Sequence, residues 1–203
     1  MSFRMRLAHA VMGLMPPVLH SEEATRAVAE SAPQHTAMPA SMRARFTESR
    51  QGGVTRVAPT RGLRSGGAVI YLHGGAYVYP MVAAQWPLVE GLIDRTGLPV
   101  ISPDYPLAPA HTASNAFSFV QTIIDEAQAE FGRVIVCGDS AGGGLALSLA
   151  MQRRDAGARQ VDGLLLYAPW VDVTMTNLAI TDVQGRDRIL RVPGLQWAGR
   201  AWA

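Results

Sequence analysis

The chain has 203 residues, 48% of them hydrophobic and 17% charged, enough for one domain with a substantial core. Its formal net charge of +2 is too small to argue for nucleic acid or an anionic membrane as a partner. A single cysteine excludes an intrachain disulfide, and no lysine occurs, so all 18 basic side chains are arginines, scattered along the chain.

No run approaches the roughly 20 apolar residues that a membrane span requires, so no integral membrane segment is expected. Residues 1–40 read as helices and loops. Leu7, Val11, Leu14 and Met15 recur at helical spacing. Arg4 and Arg6 ahead of this apolar run mimic a signal peptide. His9 and Pro16-Pro17 interrupt it, and no small-residue cleavage site follows, so an amphipathic helix and a cytoplasmic protein are expected. Ser21 before Glu22-Glu23 is an N-cap signal for a second helix to about Ala32. Met5, Met12 and Met15 supply packing, or line an adaptable substrate pocket.

Arg43 to Ser49 and Val54 to Val57 predict two strands joined through Gln51-Gly52-Gly53. Arg61 to Gly67 is a polar turn. Ala68 to Leu72 reads as an apolar strand that runs into His73-Gly74-Gly75-Ala76-Tyr77. Residues 85–96 suit a helix stopped by Gly97, and Val100 to Ser102 a buried strand followed by a loop to His111. Asn115 to Phe131 is amphipathic, with Phe119, Ile123, Ala127 and Phe131 on one face. Val134 to Cys137 predicts a strand, the segment after Ser140 a helix to near Gly157, and Gly163 to Ala168 a further strand. Strands apolar throughout, alternating with helices, imply an α/β fold with a mainly parallel sheet flanked by helices. Within such a strand Cys137 reads as packing rather than as a thiol nucleophile.

The turn after Val134–Cys137 is Gly138-Asp139-Ser140-Ala141-Gly142, a G-x-S-x-G nucleophile elbow between strand and helix. Its serine takes a strained conformation that lifts the hydroxyl out of the sheet's carboxyl edge. A side chain at Gly138 or Gly142 is expected to collide with the neighbouring helix or strand. The Ala141 N–H then points at the place where an oxyanion forms, at a helix N-terminus. His73-Gly74-Gly75 follows a strand too, and its glycine N–H groups can approach a reacting carbonyl. Alone, that triplet is any tight turn. Beside an elbow in the same strand–helix framework, it supplies the remaining oxyanion donors.

Four motifs occur in order: HGGAY at His73, the loop Asp104-Tyr105-Pro106-Leu107-Ala108-Pro109-Ala110-His111, GDSAGGGLA at Gly138, and Ala168-Pro169-Trp170-Val171-Asp172. Together they resemble the hormone-sensitive-lipase family of α/β-hydrolases, the bacterial family IV esterases. The resemblance covers about residues 40–203, and the N-terminal helices more loosely. It implies an α/β-hydrolase fold with residues 1–40 as an N-terminal helical cap segment and 41–203 as a partial core. It implies a carboxylic ester hydrolase acting on a small apolar ester, with Ser140 as nucleophile and Gly74, Gly75 and Ala141 as the oxyanion hole. The chain departs from the family at Pro106, where arginine is usual, and at Ala110, where glutamate is usual. Both bear on the salt bridging of that loop.

The triad order in this fold is serine, acid, histidine. His9, His20, His35, His73 and His111 all precede Ser140. The resemblance therefore implies a C-terminally truncated form, with the last strands absent and neither the catalytic histidine nor the usual acid supplied by this chain. Weak or no activity follows. His73 and His111 read as loop-ordering residues, and Asp172 as structural. The strand from Gly163 is expected to be an apolar open edge, covered in part by Trp197 and Trp202. The alternative function is a catalytically dead small-ligand-binding module, as in hormone receptors that resemble this family. Completion by a separate C-terminal chain is a third reading. No His/Cys/Asp cluster has ligand spacing, so no metal and no organic cofactor are expected, and a homo-oligomer is left open.

Overall fold

The computed structural model describes residues 19–31, 35–187 and 189–203. The helix expected around Leu7 to Met15 lies outside them. The elements run in chain order as α1 (Glu22–Glu30), β1 (Phe46–Gln51), β2 (Val54–Pro59), β3 (Ala68–Leu72), α2 (Trp86–Thr96), β4 (Val100–Pro103), α3 (Ala113–Phe131), β5 (Val134–Asp139), α4 (Ser140–Asp155), β6 (Gly163–Tyr167), α5 (Ile180–Gln184) and α6 (Val192–Trp202).

One mixed sheet of six strands has the order β1-β2-β4-β3-β5-β6. The hairpin β1–β2 turns through Gly52 and Gly53, both at positive φ, as a tight two-residue connection requires. β2 pairs antiparallel with β4, and from β4 onward the strands are parallel. β3 lies at the centre with every residue buried. Its alternation divides the core. Ile70 and Leu72 face Val120 and Ile124 of α3 and Leu145 and Leu149 of α4, while Val69 and Tyr71 face Trp86, Val89 and Ile93 of α2. The α/β-hydrolase architecture expected from the motifs is the one observed.

Local signals account for the helix ends. Ser21 Oγ accepts the Ala24 N–H at 3.1 Å and caps α1. Gly97, at φ 69°, closes α2 in the left-handed conformation that an L-residue resists. Pairing extends β2 and β4 beyond their predicted ends, because the ladder with β1 takes in Ala58 and Pro59 and the ladder with β2 takes in Pro103, whatever their strand propensity.

β6 is the outer strand, and Leu164, Leu165 and Tyr167 are each about 40% exposed. The expected cover by the C-terminal tryptophans is not what the structure shows. α6 packs on α1 instead. There Gly194 lets the two backbones meet, since a Cβ would overlap Leu19 O and lie 2.6 Å from Thr25 Oγ1. Arg200 pairs with Glu22 at 3.0 Å, and Arg26 stands over the Trp197 ring at 5.8 Å. Trp202 stacks on Tyr77 rather than on β6. Among the described residues no helix is long and apolar enough to cross a membrane.

Candidate active site

The elbow forms where β5 runs beside β3, with Gly138 registered against Leu72. Ser140 follows at φ 50°, a conformation that costs a non-glycine residue on the order of 1–3 kcal/mol and persists only when its surroundings enforce it. Close packing enforces it here. A Cβ on Gly138 would overlap Gly142 O, and one on Gly142 would overlap Leu72 O and lie 2.5 Å from His73 O. Both collisions anticipated from the sequence are thus with main chain. From the opposite side the Trp170 N–H donates to Ser140 O at 2.8 Å.

The loop after β3 lies against this turn. Gly75 sits at φ 132°, and its O accepts the N–H groups of Val78 and Tyr79 at 3.0 and 2.9 Å. Its own N–H enters no hydrogen bond among the described residues. Ala141 is in the first turn of α4, where a backbone N–H has no intrahelical acceptor and the helix end favours negative charge. Gly74 differs from expectation, because its N–H donates to Asp139 Oδ1 at 2.9 Å. The unengaged donors are therefore Gly75 and Ala141, and Gly74 anchors the loop.

Asp139 is the hub that sequence reasoning did not single out. Besides Gly74 N–H, its carboxylate accepts the Tyr71 hydroxyl at 2.6 Å and Gln85 Nε2 at 3.3 Å. Its place directly before the serine was a usable signal, since a carboxylate there must find donors on the adjacent β3. Gln85, on the turn into α2, carries no such signal. Burial, and next the Asp139 charge, push the Tyr71 phenol far above its ordinary range and hold it as a donor. The same two causes, in the same order, push the Cys137 thiol up to about 12, in keeping with its packing role.

His35, His73 and His111 make contacts within the scaffold. His73 is buried, its Nδ1–H donates to Gly74 O at 2.9 Å, and its ring stacks on Tyr105 at 4.4 Å. The Tyr105 hydroxyl donates to His73 O at 2.6 Å. Asp104 pairs with Arg50 of β1 and lies 2.6 Å from His35 Nδ1, so the loop with Pro106 takes its charge partner, Arg50, from β1. His111 is exposed and engages the loop through its N–H to Leu107 O at 3.0 Å. Asp172 accepts from the Thr174 hydroxyl and N–H, and the first of these holds its carboxyl below the usual range. Among the described residues no histidine or carboxylate hydrogen-bonds the Ser140 hydroxyl. The described residues also contain no group of three or more metal-binding side chains.

Burial holds the His73 pKa down to about 4, against an ordinary value of 6.5. Unfolded chains bind a proton there below about pH 6.5 and the native state does not, so stability falls as pH drops from 6.5 toward 4. The expected loss across that window is about 3 kcal/mol. Urea midpoints at pH 7 and pH 4.5 check it. His73→Gln should flatten the dependence, and an equally steep one would remove His73 as its source.

Residues 69–203 match a family model described as alpha/beta hydrolase fold. The chain is 32% identical over 134 residues to an esterase of Acinetobacter venetianus, an alignment that covers 63% of this chain and 43% of that protein. It is 33% identical over 148 residues to an ethyl acetate hydrolase of Pseudomonas putida, covering 68% of this chain and 46% of that protein. The crystal structure of an esterase from the bacterial hormone-sensitive lipase family superposes with a TM-score of 0.70 at 18% identity, covering 100% of this chain and 69% of the other. That likeness bears on fold alone. This chain spans a little under half the length of these two bacterial relatives. Family model, motifs and relatives agree that the chain belongs to the α/β-hydrolase fold family, among the esterases and lipases related to hormone-sensitive lipase.

Proposed function

We propose that the chain carries the nucleophile and oxyanion half of a carboxylic ester hydrolase for small apolar esters. Ser140 Oγ attacks the ester carbonyl, and the oxygen that becomes negative is received by the N–H groups of Gly75 and Ala141. The C–O bond to the alcohol breaks, the alcohol leaves with a proton, and water later cleaves the acyl-serine. One observation carries this reading. Ser140 is held at φ 50° by backbone contacts on both sides, and among the described residues the N–H groups of Gly75 and Ala141, on the loop and helix that meet at this turn, have no hydrogen-bond partner. Asp139 fixes Gly74 and thereby the loop that bears Gly75. α1, seated on α6, forms part of a cap in this reading.

The 203-residue chain is a weak catalyst in this reading, because no described group is placed to take the Ser140 proton. Oxyanion stabilisation and binding without a complete triad leave about 10³–10⁴-fold over water. Release of p-nitrophenol from the acetate and butyrate esters tests this against Ser140→Ala. Slow turnover that Ser140→Ala abolishes, and that added imidazole raises above the protein-free imidazole rate only in the wild type, is the expected result. Equal rates in both proteins would remove Ser140 as nucleophile. Fast Ser140-dependent turnover without imidazole would show that a base is already in place.

A further inference from the structure

The oxyanion loop continues into a strained turn. Ala76 and Tyr77 both have positive φ, 52° and 63°, although neither is glycine. Such a pair persists only where its surroundings hold it. The hold on Tyr77 is aromatic. Its ring is almost fully buried between Trp202 of α6, at 4.1 Å and 3° from parallel, and Trp170, at 5.5 Å and 24°. Tyr105, which carries the His73 ring, meets Trp202 edge-on at 6.4 Å. Tyr77 Oη rests on Gly144 of α4, where a Cβ would lie 2.9 Å away. At the far end of the stack the backbone N–H of Trp170 donates to Ser140 O, while its indole N–H donates to Met175 Sδ.

The stack therefore joins three things: α6 through Trp202, the oxyanion loop through Tyr77, and the elbow through Trp170. α6 in turn sits on α1, by the close approach at Gly194 and the Arg200–Glu22 pair. We propose that Trp202 is a positioning residue that makes the geometry of the Gly75 and Ala141 donors depend on the seating of the α1–α6 pair. If α6 lifts, Tyr77 loses one of its two stacking faces, and the strained turn behind Gly75 can relax. The proposal rests on reading Gly75 as an oxyanion donor. The turn's dependence on Trp202 can be measured apart from that reading.

Three variants separate the outcomes. Trp202→Ala removes the stacking face. Trp202→Phe keeps an aromatic ring. Gly194→Val disturbs α6 far from Tyr77, by driving a side chain into Leu19 O. Amide hydrogen exchange of residues 73–79 is expected to quicken at least tenfold in Trp202→Ala and Gly194→Val, to stay near wild type in Trp202→Phe, and to leave residues 134–139 unchanged. Unaltered exchange at 73–79 in Trp202→Ala would overturn the proposal, and so would equal acceleration across the whole sheet. A fluorophosphonate probe with imidazole as external base then reports the site itself. Labelling at Ser140 is expected in the wild type, and it should slow in Trp202→Ala and Gly194→Val by about as much as their exchange quickens. No labelling of wild type would remove the nucleophile reading and leave the coupling to stand or fall on exchange.

Discussion

Gly142→Ala is expected to cost about 4 kcal/mol or more and to leave little folded protein, although it adds one methyl group. Overpacking a core normally costs about 1–3 kcal/mol, because side chains can turn aside. Here nothing can. The new Cβ would overlap Leu72 O and crowd His73 O, both main-chain atoms at the end of the central strand. Relief requires α4 to move off β3, which opens the packing of Leu145 and Leu149 against Ile70 and Leu72. Losses of that size belong to a short list of causes, of which this is one. Gly91→Ala is the control. Gly91 is helical with open space where its Cβ would stand, so alanine there should be neutral or add about 0.5–1 kcal/mol. Urea unfolding of both variants decides the matter, and a Gly142→Ala midpoint near wild type would mean the elbow is looser than described.

Arg153→Ala is the second large effect, with an expected loss of about 3 kcal/mol. The Arg153 side chain is 2% exposed on α4, yet each of its three nitrogens donates a hydrogen bond. Nε donates to Arg159 O at 2.8 Å, Nη1 to Gln121 Oε1 at 3.0 Å, and Nη2 to Asp125 Oδ1 at 2.8 Å and Gln128 Oε1 at 3.2 Å. Truncation leaves Gln128 Oε1 and Arg159 O without that donor and a void between α3 and α4. The ion pair is a minor part of this, since Asp125 is 64% exposed and solvent screens it. Asp125→Asn should therefore cost no more than about 0.5 kcal/mol. Arg153→Lys should recover less than half, because one ammonium cannot replace a planar fork. Thermal or urea unfolding of the three variants tells the cases apart. Equal losses in Arg153→Ala and Asp125→Asn would mean that the charge pair dominates.

Much of this molecule was legible before any coordinates. β3, α2 with its Gly97 stop, β5 and β6 begin or end where apolar runs meet glycine or polar turns, because those boundaries are set locally. The elbow was legible for a different reason. Its glycines announce main chain passing within contact distance, and the contacts with Gly142 O and Leu72 O are that passage. What stayed hidden depends on residues far apart in the chain. Nothing in Gln85 says that it reaches Asp139, and nothing in Gly74 says that its N–H is already engaged. The tail misled for a related reason. Trp197 and Trp202 signal burial without saying against what. The small Gly194 beside Leu19 and Thr25 decided for α1 over the sheet edge.

The register of Gly138 against Leu72 carries a consequence for how the site comes into being. β3 and β5 are parallel neighbours, yet α2, β4 and α3 lie between them in the chain. Loop closure over that span must precede any reward from their pairing, so this is among the slower contacts to form. The Ser140 conformation is enforced by those contacts and by no local sequence preference. A collapsed chain with its helices in place and its central sheet unpaired has a serine, but no elbow to raise it. The strained turn at Ser140 is therefore expected to form with the pairing of β3 and β5, late in the order of contacts that chain separation sets.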